Sequence, residues 1–233
     1  MLILAFETSA KAASVALMRE GCLLAESYQN TGLTHSQTLL SMAESLMQHC
    51  GLTPQQIEAV AVAAGPGSFT GVRIGVAAAK GFAWGRQLPC YGVSTLEAMV
   101  RGLGVEQGYV CPVMDARRAQ VYNALFRVDC GNYTRIREDR AISLQELGED
   151  IQNLGEPVYL VGDGSILCYN TLSDKVTNLV CPPEHRMHQR ANGVALAAEQ
   201  RIREGADGDG STLVLNYLRL SQAERERLAR EQK

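Results

Sequence analysis

The chain has 233 residues, 46% of them hydrophobic and 20% charged, with a net charge of -3 at pH 7. That is enough for one large domain or two small lobes around a core of useful size, with the composition of an ordinary globular protein. The slight negative balance excludes a whole-chain field that attracts phosphates, so any role on nucleic acid works through a partner or a local patch.

The opening run MLILAFETS has no positive segment and no cleavage site, and its apolar stretch stops at Glu7. It reads as a buried strand and not as a secretion signal. No stretch approaches the roughly 18 apolar residues of a membrane span. Seven scattered cysteines, odd in number and without a CxxC pair, read as free thiols of a cytoplasmic protein.

In chain order, alternating runs predict strands over 2–7, 13–18 and 22–28, separated by turns. A helix follows over 36–50. Leu39, Leu40, Ala43, Leu46, Met47 and Cys50 share one broad face of it, and Gly51 ends it. Residues 57–64 form a continuous apolar strand, covered on both faces. Gly65-Pro66-Gly67 turns the chain into a second helix over 70–84. After a polar, Gly-rich boundary at 102–108 the pattern partly repeats. Strands are predicted over 109–115, 120–128 and 158–161, the last closed by Gly162-Asp163-Gly164. Helices are predicted over 144–153 and 192–203, then a loop over 205–210 and a charged helix over 223–232. Arg225, Arg227, Arg230 and Lys233 alternate there with Glu224, Glu226 and Glu231, as on a solvated helix. The result is two βββαβα-like halves, an N-terminal lobe over 1–105 and a less regular C-terminal lobe over 106–233. No short-period repeat or low-complexity tract is present.

The most informative stretch is GPGSFTGVRIG at 65–75. A strand leads through a glycine turn into a helix N-terminus, where outward N–H groups and the helix dipole favour an anion. Gly65, Gly67, Ser68 and Thr70 are therefore a candidate anion- or nucleotide-contacting turn. The Gly-Lys-Ser/Thr of a Walker A loop and the GxGxxG spacing are both missing, and a tight turn that only starts a helix fits the residues equally well. N-capping accounts for Ser68 and Thr70 better than a nucleophile does, because no His/Asp pair accompanies them. The helix behind is apolar nearly all round, interrupted only by Arg73 and Lys80, which predicts burial on every side, within the chain or against a partner. Gly71, Gly75 and Ala79 recur every four residues. Such a stripe admits close approach by another helix or by the chain's own sheet, and that packing offsets the roughly 1 kcal/mol that a helical glycine costs against alanine.

FETS at 6–9, THS at 34–36, GPGSFTGVRIG at 65–75, DARRAQVY at 115–122 and VGDGS at 161–165, in this order over nearly the whole chain, resemble the TsaB (YeaZ) family. The resemblance implies an α/β fold of two lobes, the actin-like, sugar-kinase-like (ASKHA) architecture, each lobe a mixed sheet flanked by helices. It implies a non-catalytic subunit for forming N6-threonylcarbamoyladenosine at position 37 of tRNA (t6A37). Such a subunit binds and activates a TsaD-type catalytic subunit together with a TsaE-type ATPase, and reaches tRNA indirectly through the complex. The family's partner interface falls on the two N-lobe helices, here His35, Leu39, Leu40, Ala43, Leu46 and Met47 of the first and Gly71, Arg73, Gly75, Ala78, Ala79 and Phe82 of the second. For the isolated chain a homodimer through the same helices is expected, because an apolar helix pair without its partner buries itself against a copy. Glu7, Asp115, Arg117 and Arg118 fall on the inter-lobe cleft; from the residues alone, Asp115 to Arg118 is also a solvated turn with a surface ion pair. The tail, from about 213, packs back on the N-terminal lobe. Its Leu215-Asn216-Tyr217-Leu218-Arg219 lacks the proline of the family's Pro-x-Tyr-Leu-Arg but keeps Tyr217 and Arg219.

The family's catalytic relative holds a metal through two histidines at i and i+4. The matching residues here are Thr95 and Met99, in Ser94-Thr95-Leu96-Glu97-Ala98-Met99, and a hydroxyl and a thioether do not replace two imidazoles. ATP-using members of the superfamily open with Asp-x-Gly-Thr. Glu7-Thr8-Ser9-Ala10 places a Cβ where that glycine lets phosphate approach. The expectation is no metal, no cofactor and no independent ATP hydrolysis. His185 and His188, beside Glu184, are two ligands without a third in register. Two enzyme readings from the same superfamily compete: a small-molecule kinase, disfavoured by the altered opening, and a zinc glycopeptidase, disfavoured by the lost histidine pair.

Overall fold

The computed structural model describes residues 1–219; the charged helix expected over 223–232 lies outside the described residues. Strands β1 (Leu2–Glu7), β2 (Ala13–Arg19) and β3 (Cys22–Gln29) form an antiparallel meander. Helix α1 (His35–His49), strand β4 (Ala59–Ala63), helix α2 (Phe69–Trp84) and strand β5 (Cys90–Val93) follow. The five strands make one mixed sheet in the order β3-β2-β1-β4-β5, with β4 and β5 parallel to β1.

All six residues of β1 are buried, because helices cover both of its faces. Leu2, Leu4 and Phe6 point into a cluster with Leu39, Met42 and Leu46 of α1 and Val72 and Val76 of α2. Ile3 and Ala5 point the other way, as strand alternation requires. There they join Ala16, Ala59, Ala61 and Ala63 against Ala191, Val194, Ala195 and Ala198 of α7 (Ala191–Arg203). The small side chains on that face let α7 lie close. The sequence pattern put this helix with the second half of the chain, but its apolar stripe docks on the first sheet.

Helix α3 (Thr95–Leu103) leaves β5 and ends at Gly104 in a left-handed conformation. The second sheet is built from β6 (Gln107–Arg117), β7 (Gln120–Asp129), β8 (Asn132–Ser143), β9 (Val158–Val161) and β10 (Leu179–Val180) in the order β10-β9-β6-β7-β8. Helices α4 (Leu144–Ile151) and α5 (Ser165–Leu172) cover one face through Leu147, Ile151, Cys168 and Leu172. Leu96, Met99, Val100 and Leu103 of α3 cover the other. A short helix α6 (Glu184–Met187) precedes α7. Strands β5, β8 and β10 and helices α3, α5 and α6 are additions to the elements expected from sequence.

Residues 212–219 form a strap that touches both sheets. Lys80 Nζ donates to the Leu213 carbonyl at 3.0 Å and the Asn216 N–H donates to the Ala64 carbonyl at 2.8 Å. On the other sheet, Asn216 Nδ2 donates to Asp139 at 3.3 Å and Arg219 Nη1 to the Ala116 carbonyl at 2.5 Å.

Candidate functional site

Between the two sheets lies a cleft of about 740 Å³, walled by Ser9 to Lys11, by the start of α2, by Met114 to Arg117 and by the strap. Glu7 ends β1 beneath it and is 1% exposed. The Ser9 N–H donates to its Oε1 at 2.5 Å, while Oε2 has no partner among the described residues. Burial pushes the Glu7 carboxyl up from 4.5 to about 7, since a low-dielectric surrounding penalises the charged form. Asp163 is exposed at the turn after β9, where partial loss of solvent raises its carboxyl and its Oδ1 accepts from Gln189 at 3.0 Å. The hydroxyls of Ser9 and Ser165 are buried and likewise without a partner. Asp115 is exposed; in place of an ion pair, its Oδ1 accepts from the Arg117 N–H at 2.7 Å. Arg117, Arg118 and Ala119 follow at the β6–β7 hairpin tip with φ of 63°, 57° and 55°, a left-handed region that non-glycine residues rarely occupy.

The glycine turn is clasped from within. A Cβ on Gly67 would sit 2.5 Å from the Ser9 carbonyl, and the Ser68 N–H donates to that carbonyl at 2.6 Å. A Cβ on Gly65 would sit 2.6 Å from the Asn216 carbonyl. Ser68 caps α2, its Oγ accepting from the Gly71 N–H at 3.3 Å. The two glycines of the candidate anion turn thus serve close backbone contact inside the protein, leaving Ser68 and Thr70 exposed at the cleft mouth.

The small-residue stripe of α2 also turns inward. Cβ atoms on Gly71 and Gly75 would lie 2.1 Å from the carbonyl and 2.3 Å from Oγ1 of Thr8, and that hydroxyl donates to the Gly71 carbonyl at 2.8 Å. Ala79 is fully buried, and Leu39, Ala43, Leu46 and Met47 sit in the core beside it. These seven residues, expected at a partner interface, are occupied by the chain's own packing. Of that set, Leu40 and Arg73 are exposed, and His35, Ala78 and Phe82 are half-buried. His35 Nε2 lies 2.9 Å from the Ala10 carbonyl, joining the start of α1 to the β1–β2 turn. Helix α2 is not buried on every side: Thr70, Arg73, Ala77, Gly81 and Trp84 face out, Trp84 at 84% exposure.

Thr95 and Met99 lie on the inner side of α3, 0% and 4% exposed. His185 and His188 border a separate cavity of about 200 Å³ beside Arg186 and Arg190. Among the described residues, no three His, Cys, Asp or Glu side chains come together to hold a metal ion. Sequence reasoning missed the ionic clasp in which Arg135 meets Asp139 at 2.6 Å and Glu97 at 3.3 Å, with Ser94 donating to Asp139 at 2.5 Å. The charge alternation of β8 was its only signal.

Two helix-flanked mixed sheets facing each other across such a cleft make the two-lobed fold of the actin-like, sugar-kinase-like type. Residues 29–226 match the family model described as TsaD, tRNA N6-adenosine threonylcarbamoyltransferase. The tRNA threonylcarbamoyladenosine biosynthesis protein TsaB of Bacillus subtilis (strain 168) is 33% identical over 225 residues, 96% of each chain. That of Escherichia coli (strain K12) is 37% identical over 167 residues, 70% of this chain and 72% of the other. A solved Pseudomonas aeruginosa protein, described as similar to the peptidase YEAZ, superposes with a TM-score of 0.78 at 24% identity, covering 94% of this chain and 99% of that one. The chain belongs to the TsaB (YeaZ) family.

Proposed function

We propose that this chain serves in tRNA threonylcarbamoyladenosine formation as a non-catalytic, cytoplasmic subunit that binds and activates a TsaD-type catalytic subunit together with a TsaE-type ATPase. The names of its TsaB relatives support the pathway. The observation that carries the subunit reading is the pair Thr95 and Met99. They stand where the catalytic relative is expected to have its histidines, and both are packed into the core. Binding is assigned to the outward side of α1 and α2, where Leu40 is 57% exposed and Ala77 and Trp84 lie open. A sparsely charged face of this kind is where a partner, or a second copy of the chain, gains from burying apolar surface.

The test is reconstitution of tRNA modification from a TsaD-type subunit, a TsaE-type ATPase and the threonylcarbamoyl donor, with and without this chain. Modification is expected only with the chain present. Leu40→Asp and Ala77→Arg, at surface positions, are expected to abolish co-purification with the catalytic subunit while leaving thermal unfolding unchanged. Full modification without the chain, or an intact complex with both variants, sinks the reading.

A further inference from the structure

We propose that the mouth of the inter-lobe cleft contacts RNA directly, taking the phosphodiester backbone on Lys11, Arg117 and Arg118 beside the exposed ring of Tyr217. Lys11, Arg117 and Tyr217 line one cleft, and Arg118 follows Arg117 at the hairpin tip. All three cations are exposed, and none has a carboxylate within ion-pair distance among the described residues. This differs from the other arginines of the second sheet: Arg127, Arg135, Arg137 and Arg140 are each paired with an acid.

The tip itself is built to present charge. Arg117 and Arg118 both hold left-handed backbone conformations that glycine or asparagine adopts with less strain. Arg219 braces the tip from behind by donating to the Ala116 carbonyl. The two neighbouring guanidinium groups offer forked donors suited to phosphate oxygens. Tyr217 is 41% exposed and fixed against Phe69, leaving ring surface on which a base can stack.

The cleft floor argues for RNA over a free nucleotide. Asp115 and Asp163 also line the cleft, so a phosphate drawn inward meets carboxylates, and the glycine turn that would cradle it is closed onto Ser9. An acidic peptide would find the same cations but gain little from the aromatic ring. With a net charge of -3, the attraction is confined to this rim. The proposal does not rest on the subunit reading, because it concerns the chain alone.

The test is fluorescence anisotropy of a fluorescein-labelled single-stranded RNA with the full chain across a salt series, with polyglutamate and ATP as competitors. Three phosphate contacts predict a slope of log affinity against log salt near about −2. The Arg117→Asn, Arg118→Asn double variant keeps residues that tolerate the left-handed turn; it should lower affinity several-fold at low salt and bring the slope to about −1 or shallower. Tyr217→Leu should weaken binding without changing the slope. No RNA binding at low salt, binding indifferent to the arginine variant, or equal competition by polyglutamate or ATP overturns the proposal. Thermal unfolding of the double variant, expected to match the unaltered chain, separates loss of contact from loss of fold.

Discussion

Arg73 donates from Nε to the hydroxyl of Tyr217 at 2.8 Å, joining residues 144 positions apart. The same guanidinium lies 3.7 Å over the ring of Phe69, and the Tyr217 ring stacks on Phe69 with centroids 4.8 Å apart. One residue of the strap is thereby fixed to the first turns of α2. Asn216 and Arg219, on either side of it, reach Asp139 and Ala116 of the second sheet. The strap holds the two sheets at a set separation, and with it the width of the cleft.

Tyr217→Phe should therefore cost about 0.5–1.5 kcal/mol, toward the lower figure because the bond is near solvent. Tyr217→Ala should cost more, since the aromatic pair contributes roughly 0.5–1.5 kcal/mol beyond its buried area. Urea unfolding midpoints measure both. Identical midpoints for Tyr217→Ala and the unaltered chain would show that the strap is not fastened at this point.

Gly75→Ala places a methyl group where Thr8 Oγ1 already stands, 2.3 Å away. Overpacking of this kind costs about 1–3 kcal/mol. In a Thr8→Ala background the obstructing hydroxyl is gone, so the added cost of Gly75→Ala should shrink, a coupling that a double-mutant cycle reads directly. Additive costs would mean that Gly75 does not meet Thr8. A large side chain at Gly75 is thus a probe of the fold, and partner binding is better tested at Leu40 and Ala77.

The first sheet was legible because its strands carry their burial in their composition. LILAF, up to Glu7, and AVAVA are apolar throughout, as strands covered on both faces must be. Strand β8, NYTRIREDRAIS, hid behind its charges: it is a sheet edge whose arginines pair with Glu97, Asp139 and Asp150, so apolar alternation never appears. For α7 the sequence pattern gave a helix but not the sheet it meets. Of the residues the resemblance put on a cleft, Asp115 and Arg117 border the cavity between the sheets, whereas Glu7 is buried outside its lining. The closure of Gly67 on Ser9 depends on contacts some sixty residues apart, which no local pattern encodes.

Thiol reactivity should follow burial. Cys22 and Cys130 are exposed, Cys50 and Cys181 half-buried, and Cys90, Cys111 and Cys168 buried. Burial pushes Cys90 up to about 11 and Cys111 up to about 12, and raises Cys168 as well. The thiolate is the reactive form, so at pH 8 Cys22 and Cys130 should be alkylated first and the buried three only after unfolding. Peptide mapping after timed iodoacetamide treatment would show this order; early labelling of Cys111 or Cys168 would contradict the packing of the second sheet.

Stability should fall with pH through the range in which Glu7 ionises. Its carboxyl sits at about 7 in the folded chain against 4.5 ordinarily, because burial disfavours the charge. Below 4.5 both folded and unfolded chains hold the proton, and the contribution of neutral Glu7 is fully present. Between 4.5 and 7 the unfolded chain has released the proton while the folded chain keeps it, so rising pH favours unfolding. Above 7 the contribution is lost, a total of about 3 kcal/mol at 1.36 kcal/mol per pH unit. Glu7→Gln keeps the shape and the acceptor for the Ser9 N–H but cannot ionise. Urea unfolding of both chains from pH 5 to 8 should show the variant gaining on the unaltered chain as pH rises and overtaking it by pH 8. A difference between the two that is constant across that range would mean Glu7 does not carry its proton in the fold.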